Sequence, residues 1–479
     1  ESQKFRLPKY ASPSRYKIQI TPDLNNKTFV GNVEIEINIL NKTNEISLNV
    51  AELDIKNIFI LISDSDKTKI RDWKLDDKFQ IMKIFFQSDI PEGKMVLGID
   101  YSGILNDKLR GFYHSTFKDS KGNLQSIATT QFESTDARRA FPCFDEPEYK
   151  SVFSISLIID PELFCVSNAA TKQVTENFDK KNRKKIEFQD TIPMSTYLVA
   201  FIVGPLEASK TIDVDGTELR IIYPIGKGHL CDFALELGKY SLQYFSSYYK
   251  IPYPGDKLDM IAIPDFAFGA MENLGCITYR EALLLVDDKN ATSNELIRIA
   301  DVIAHEIAHM WFGDLVTMRW WNGIWLNEAF ATFMATLCSD SFNPDWHRWD
   351  QFSLERSMAF DVDSLDNSRP IEYPVISPSD ADGMFDLLTY EKGGSVLRML
   401  EQFLGPNNFR DGIRHYLKKH SYGNTETKDL WDSIEEVTGE PVRKIMDSWI
   451  FQKGYPIVSP DDVEDTEVLY LAQEKFTFD

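Results

Sequence analysis
The sequence predicts a multidomain α+β chain, an N-terminal antiparallel β domain followed by a mostly helical domain. Three observations carry that expectation. Apolar and polar residues alternate in residues 1–204, most cleanly where Val33, Ile35, Ile37 and Ile39 interleave with Glu34, Glu36 and Asn38, the period of a half-buried strand. Further on, Leu296, Ile299, Ile303, Ile307 and Met310 recur every three or four positions, which marks one face of a helix. The chain, at 479 residues, is also longer than one hydrophobic core usually serves.

Taken in order, Tyr16, Ile18 and Ile20 alternate in the same way, with a hairpin turn expected between Pro22 and Lys27. Further strands are expected at 55–62, 81–86, 95–101, 152–159, 185–188 and 197–203. Gly204-Pro205 marks the seam between a first domain at 1–204 and a second at 205–455. The second should open with strands at 219–223 and 260–263 around a helix that puts Phe233, Leu237, Tyr240 and Tyr244 on one face. Helices are expected at 394–404, 409–420, 428–437 and 442–450, with Gly405, Gly423 and Gly439 as breaks. Residues 456–479 read as an acidic, strand-like segment too short for a core of its own.

The net charge of −22 argues against nucleic acid as a partner and suits a cationic ligand, although solubility alone accounts for such a surface. Five cysteines, at 143, 165, 231, 276 and 338, form no C-x-x-C pair, which points to free thiols and a reducing, cytoplasmic setting. Sequons at Asn26, Asn41 and Asn290 matter only in a secreted protein. No apolar run reaches the length of a membrane helix, and no signal-peptide core opens the chain. The start at Glu1 rather than Met leaves room for a removed leader.

The chemistry concentrates between Thr292 and Phe333. Thr292 and Glu295 form a capping-box pattern ahead of the apolar stripe. On the helix they start, His305-Glu306-Ile307-Ala308-His309 matches H-E-x-x-H. Histidines four apart face the same way, one turn apart, and can grip one metal ion. Gly313 is the expected stop. The 18 residues between His309 and Glu328 allow the chain to turn back into an antiparallel second helix, from about 327 to 337. Glu328 in its first turn would be the third ligand, and zinc suits a two-histidine, one-glutamate set with one position left for water. Glu306, beside the first ligand but off its axis, can reach that water instead.

Three motifs together resemble the aminopeptidase N family of gluzincin zinc peptidases, which holds the puromycin-sensitive and tricorn-interacting types: Gly269-Ala270-Met271-Glu272-Asn273, His305 to His309, and Trp325-Leu326-Asn327-Glu328. Supporting patches are Thr130-Gln131-Phe132-Glu133, Asp136 to Pro147, and Tyr390-Glu391-Lys392-Gly393. The resemblance implies a saddle-like β domain, a thermolysin-like catalytic domain and an active site in the cleft between them. It implies one zinc per chain on His305, His309 and Glu328, with Glu306 as general base. It further implies release of single residues from peptides with a free N-terminus, the terminal amine being bound by the Gly269–Asn273 loop, chiefly Glu272, with Gln131 and Glu133. Tyr390 would stabilise the oxyanion. Gln131 and Glu133 are expected on one face of one strand.

Two departures stand out. Leu274 follows the amine loop where many relatives carry Trp. The family usually continues into a third β domain and often a large helical one, whereas this sequence stops at Asp479. Residues 456–479 are therefore expected to be the start of a truncated or absent C-terminal β domain. A bifunctional epoxide hydrolase and a non-catalytic peptide-binding relative are the alternatives, although Ala270 stands where the epoxide hydrolase branch has Gly, and none of the catalytic residue types is missing. Asp136, Arg138, Arg139 and Asp145 are expected to form a structural ion-pair cluster. The oligomeric state is open, with a monomer as the simplest case.

Overall fold
The computed structural model describes residues 4–63, 69–460 and 469–478; part of the 456–479 segment therefore lies outside the described residues. Strands Ala11–Asp23 and Thr28–Ile39 form the expected hairpin. They sit at the middle of a seven-stranded sheet that also holds Asp54–Ser63, Gly93–Ile104, Val152–Ile159, Thr171–Thr175 and Lys184–Phe188. Tyr16, Ile18, Val33, Ile35 and Ile37 are buried while their neighbours face out, as strand alternation requires. The sheet is antiparallel except where Ala11–Asp23 pairs in parallel with Val152–Ile159. That pair joins distant parts of the chain, so no hairpin constrains its direction.

Three-stranded and four-stranded sheets complete the first half. In the latter, Gly111–Lys118 and Leu124–Gln131 form a hairpin, and Phe201–Gly204 pairs with both Phe164–Ser167 and Leu124–Gln131. The strand expected at 197–203 is a correction: Thr196–Leu198 is a 3-10 turn and the strand begins only at Phe201. Strands Leu206–Ala208, Ile212–Val214, Thr217–Pro224, Lys257–Ile263, Ala270–Met271 and Cys276–Arg280 form another sheet.

The helices follow in chain order: α1 (Asp232–Tyr249), α2 (Ser293–His309), α3 (Trp325–Phe342), α4 (Arg348–Asp363), α5 (Pro378–Asp382), α6 (Gly393–Leu404), α7 (Pro406–His420), α8 (Thr427–Thr438) and α9 (Val442–Phe451). Pro456–Pro460 and Leu471–Lys475 pair as a two-stranded hairpin after α9. None of the described helices is long and apolar enough to cross a membrane.

Side chains of the first half hold loops of the second. The Lys150 ammonium donates to the carbonyls of Asp314 and Leu315, at 3.1 Å each. The Tyr197 hydroxyl donates to Gly313 O and accepts from Asn327 Nδ2. Asp265 accepts from Ser115 Oγ and Thr116 N. Arg138 pairs with Asp145 at 2.9 Å, and Arg110 and Arg139 both hold Asp136, the structural cluster expected there.

Candidate active site
Local sequence sets the first helix. Thr292 Oγ1 accepts from Glu295 N while Glu295 returns a bond to Thr292 N, a reciprocal cap that satisfies two end donors. Ile299, Ile303 and Ile307 face the core. The helix ends at His309, ahead of Gly313, which instead adopts φ +135° in the turn that follows. Antiparallel to it, α3 starts two residues earlier and ends five residues later than the sequence suggests, and carries Glu328 in its first turn.

The ends of α2 and α3 bring three atoms together. His305 Nε2 and His309 Nε2 are 3.0 Å apart, and Glu328 Oε2 lies 3.1 Å from the first and 3.3 Å from the second. Atoms so spaced can all reach one point at about 2 Å, the zinc–nitrogen and zinc–oxygen distance. His309 Nδ1 faces the Phe312 carbonyl at 2.9 Å, which orients the ring and leaves Nε2 free to ligate. The residues present therefore fit a zinc ion.

Further carboxylates lie around that point. Glu306, Glu272 and Glu133 each keep one buried oxygen without a hydrogen-bond partner among the described residues, as does the Gln131 amide oxygen. One oxygen each from Glu133, Glu272 and Glu328 lie within 4.8 Å of one another. Burial pushes Glu306 and Glu133 well above the usual carboxylate range, with neighbouring carboxylates adding to it. Glu272 is pushed up to about 7, by burial first and by Glu328 as well, although His309 opposes. Burial also acts on Glu328, but His309 and the two imidazole contacts outweigh it and hold that carboxyl at about 2. A low-dielectric site with this surplus of negative charge favours cations.

These groups line one cavity of about 370 Å³, within the range of small-ligand sites. Gln131, Glu133, Gly269, Ala270, Glu272, His305, Glu306, His309, Glu328 and Tyr390 all reach it. Two residues of the Gly269–Asn273 loop do not. Met271 is buried under Gln131, whose Nε2 donates to its sulfur, and Asn273 donates to Cys276 O and Thr278 Oγ1. Their side chains shape the loop rather than the cavity. The strand carrying Gln131 ends there, so Glu133 sits in the following turn rather than two places along a strand face. Tyr390 comes from a π-helical turn, Leu388–Lys392, ahead of α6; its ring stacks on His305 at 6.0 Å and 19°. Burial and the surrounding carboxylates raise the phenol well above its usual range, so it remains a donor.

Several residues of the site escape a reading of the sequence. Phe268 and Phe385 both line the cavity, their ring centroids 6.5 Å apart. Asp301 and Arg348 form an ion pair within its wall. Outside the cavity lining, Asp314, whose N–H donates to the His309 carbonyl, is buried with neither carboxylate oxygen hydrogen-bonded among the described residues. Only Glu391 carries a signal, through the Tyr390–Gly393 patch.

The fold and site define a class: a β-rich half and a helical half around an H-E-x-x-H helix, with a glutamate from the next helix completing the set. The Peptidase M1 N-terminal domain matches residues 12–198 and the Peptidase family M1 domain matches residues 233–449, and the chain belongs to peptidase family M1. Aminopeptidase M1 of Arabidopsis thaliana is 42% identical over 474 residues, 98% of this chain and 53% of the relative. Puromycin-sensitive aminopeptidase of Caenorhabditis elegans is 38% identical over 477 residues, 99% of this chain and 50% of the relative. Glutamyl aminopeptidase of Sus scrofa is 38% identical over 481 residues, with the same two shares. The chain thus spans about half the length of the curated relatives it matches.

Proposed function
We propose that the chain is the catalytic part of a zinc aminopeptidase, acting on peptides with a free N-terminus. The observation that carries this reading is the juxtaposition of the His305–His309–Glu328 set with the unpartnered carboxylates of Glu133 and Glu272 in one cavity. An endopeptidase has no use for a second, cation-seeking cluster beside its metal set; an exopeptidase must hold a terminal ammonium there.

Zinc on the three ligands would supply Lewis-acid polarisation of the scissile carbonyl and bring the pKa of a water toward neutrality. Glu272 and Glu133 bind the ammonium by charge and hydrogen bonds, and Gln131 Oε1 offers a third acceptor. Their depth fixes the first amide opposite Glu306. That carboxylate takes the proton of the attacking water and passes it to the leaving amine. The Tyr390 phenol, kept protonated, donates to the developing oxyanion. Five free cysteines, four of them buried, support a reducing, cytoplasmic location, and all the residues invoked belong to a single chain.

The test compares a leucine arylamide with its N-acetyl derivative, before and after chelation. The free-amine substrate should be cleaved and the acetylated one spared, with activity lost to chelator and restored by zinc. Equal cleavage of both would overturn the amine-binding role.

A further inference from the structure
We propose that the groove beyond His305 selects peptides whose second residue is positively charged, with Glu391 and Glu355 as its recognition groups. The inference rests on the proposed function, because the peptide's direction is set by where its ammonium binds.

Glu272 lies 3.8 Å from His309 Nδ1, at the C-terminal end of α2. The ammonium end of the peptide is therefore on that side of the ligand set. Val302 and Asp301 lie three and four residues before His305, one turn further from Glu272 on the same helical face. Thr332 and Thr336 follow Glu328 by four and eight residues on antiparallel α3, and all four residues line the same cavity. A peptide held at its amine, with its first amide at the ligand set, extends into this stretch. One helical turn, about 5.4 Å, carries it past the leaving nitrogen to the second residue.

The walls there are charged. The Arg348 guanidinium, buried, engages both oxygens of Asp301 and lies 3.8 Å from Glu355. Glu391, on the turn that packs between α3 and α4, has a buried Oε2 with no partner among the described residues. Three carboxylates thus share this wall with a single guanidinium, which Asp301 already occupies in bidentate fashion. The uncompensated charge is negative, and burial with crowding by Glu355 and Asp386 pushes Glu391 up to about 7. A lysine or arginine side chain supplies the missing cation, whereas a glutamate adds a fourth carboxylate. The small Thr332, Ala335 and Thr336 side chains leave room for a long one.

The experiment compares leucyl-lysine, leucyl-arginine, leucyl-alanine and leucyl-glutamate amides, which differ only in the second residue. In the unmodified chain, kcat/KM for the two basic substrates should exceed that for alanine by about tenfold, with glutamate lowest. Glu391→Gln should bring the lysine-to-alanine ratio to within about twofold of unity. Glu355→Gln, at a site one-third exposed, should lower it by a smaller factor and serves if the first variant misfolds. Equal rates for all four amides, a preference for glutamate, or an unchanged ratio in both variants would overturn the proposal. A second arm measures binding of non-cleavable reduced-amide leucyl-lysine and leucyl-alanine to Glu306→Gln by calorimetry. Tighter binding of the lysine analogue without turnover of any amide supports the groove and overturns the peptidase reading; turnover with no preference does the reverse.

Discussion
Lys257 and Glu272 are both buried in the same part of the second half, and the fold treats them differently. The Lys257 ammonium donates to the carbonyls of Ser167 and Gly275 and to Asp259 at 2.9 Å, and Asp259 in turn binds Arg220. Glu272, just past the end of Ala270–Met271 in the same sheet, keeps an oxygen with no donor among the described residues, as do Glu306 and Glu133. Buried polar groups are ordinarily satisfied because an unmet one is expensive. At Lys257 the chain meets that rule from within. In the cavity it leaves cation positions to be filled from outside, and the proposed reaction brings one cation to the ligand set and another as the amine.

The largest break in the comparison is at Glu306. Glu306→Gln keeps shape and removes the proton acceptor, so turnover of a leucine arylamide should fall about a thousandfold. Zinc content by elemental analysis should stay at one per chain, and the thermal midpoint should hold or rise because one crowded carboxylate is gone. Near wild-type turnover would show that another group moves the proton.

How much of this is legible in the sequence follows from the same contrast. Strands with one wet face announce themselves, as Val33 to Ile39 does. Residues Ile127 to Gln131 are all buried in succession, so no alternation marks the strand that delivers Gln131. The α4 helix stays hidden because two of its four buried positions are Arg348 and Asp363, while Leu354 and Met358 lie exposed; its hydrophobic period is erased by the charges it brings inward. The H-E-x-x-H pair is readable because its spacing is local. Asp301 and Arg348 are 47 residues apart, and their pairing emerges only when α2 and α4 pack.

Lys257→Met breaks the satisfied side of the comparison. It strips donors from two buried carbonyls and leaves Asp259 with Arg220 alone, and should destabilise the chain by about 3 kcal/mol. The check is the midpoint of chemical denaturation; a shift within experimental scatter would mean that Arg220 alone suffices for Asp259.

The smallest effect, and the one that reads the unsatisfied side directly, is the pH dependence of metal-free stability. Glu272 titrates at about 7 in the fold against 4.5 when unperturbed. A carboxyl raised in this way binds more protons folded than unfolded between those values. Its contribution is complete below pH 4.5 and is lost as pH rises through 7. Glu306 and Glu133 are shifted in the same direction, so their slopes add. Glu328, held at about 2, acts oppositely only at pH values below 4.5; burial lowers His305, which also opposes, while the carboxylates around His309 outweigh its burial and raise it, which adds to the fall. Chelator-treated protein should therefore melt lower at about pH 7.5 than at about pH 5, and Glu272→Gln should recover about 1 kcal/mol of that difference. Excess zinc at the higher pH should raise the midpoint as well, since a cation bound only by the folded state stabilises it. A metal-free midpoint that climbs over this interval would mean the cavity carboxylates find partners after all, and would erase the distinction between Glu272 and Lys257.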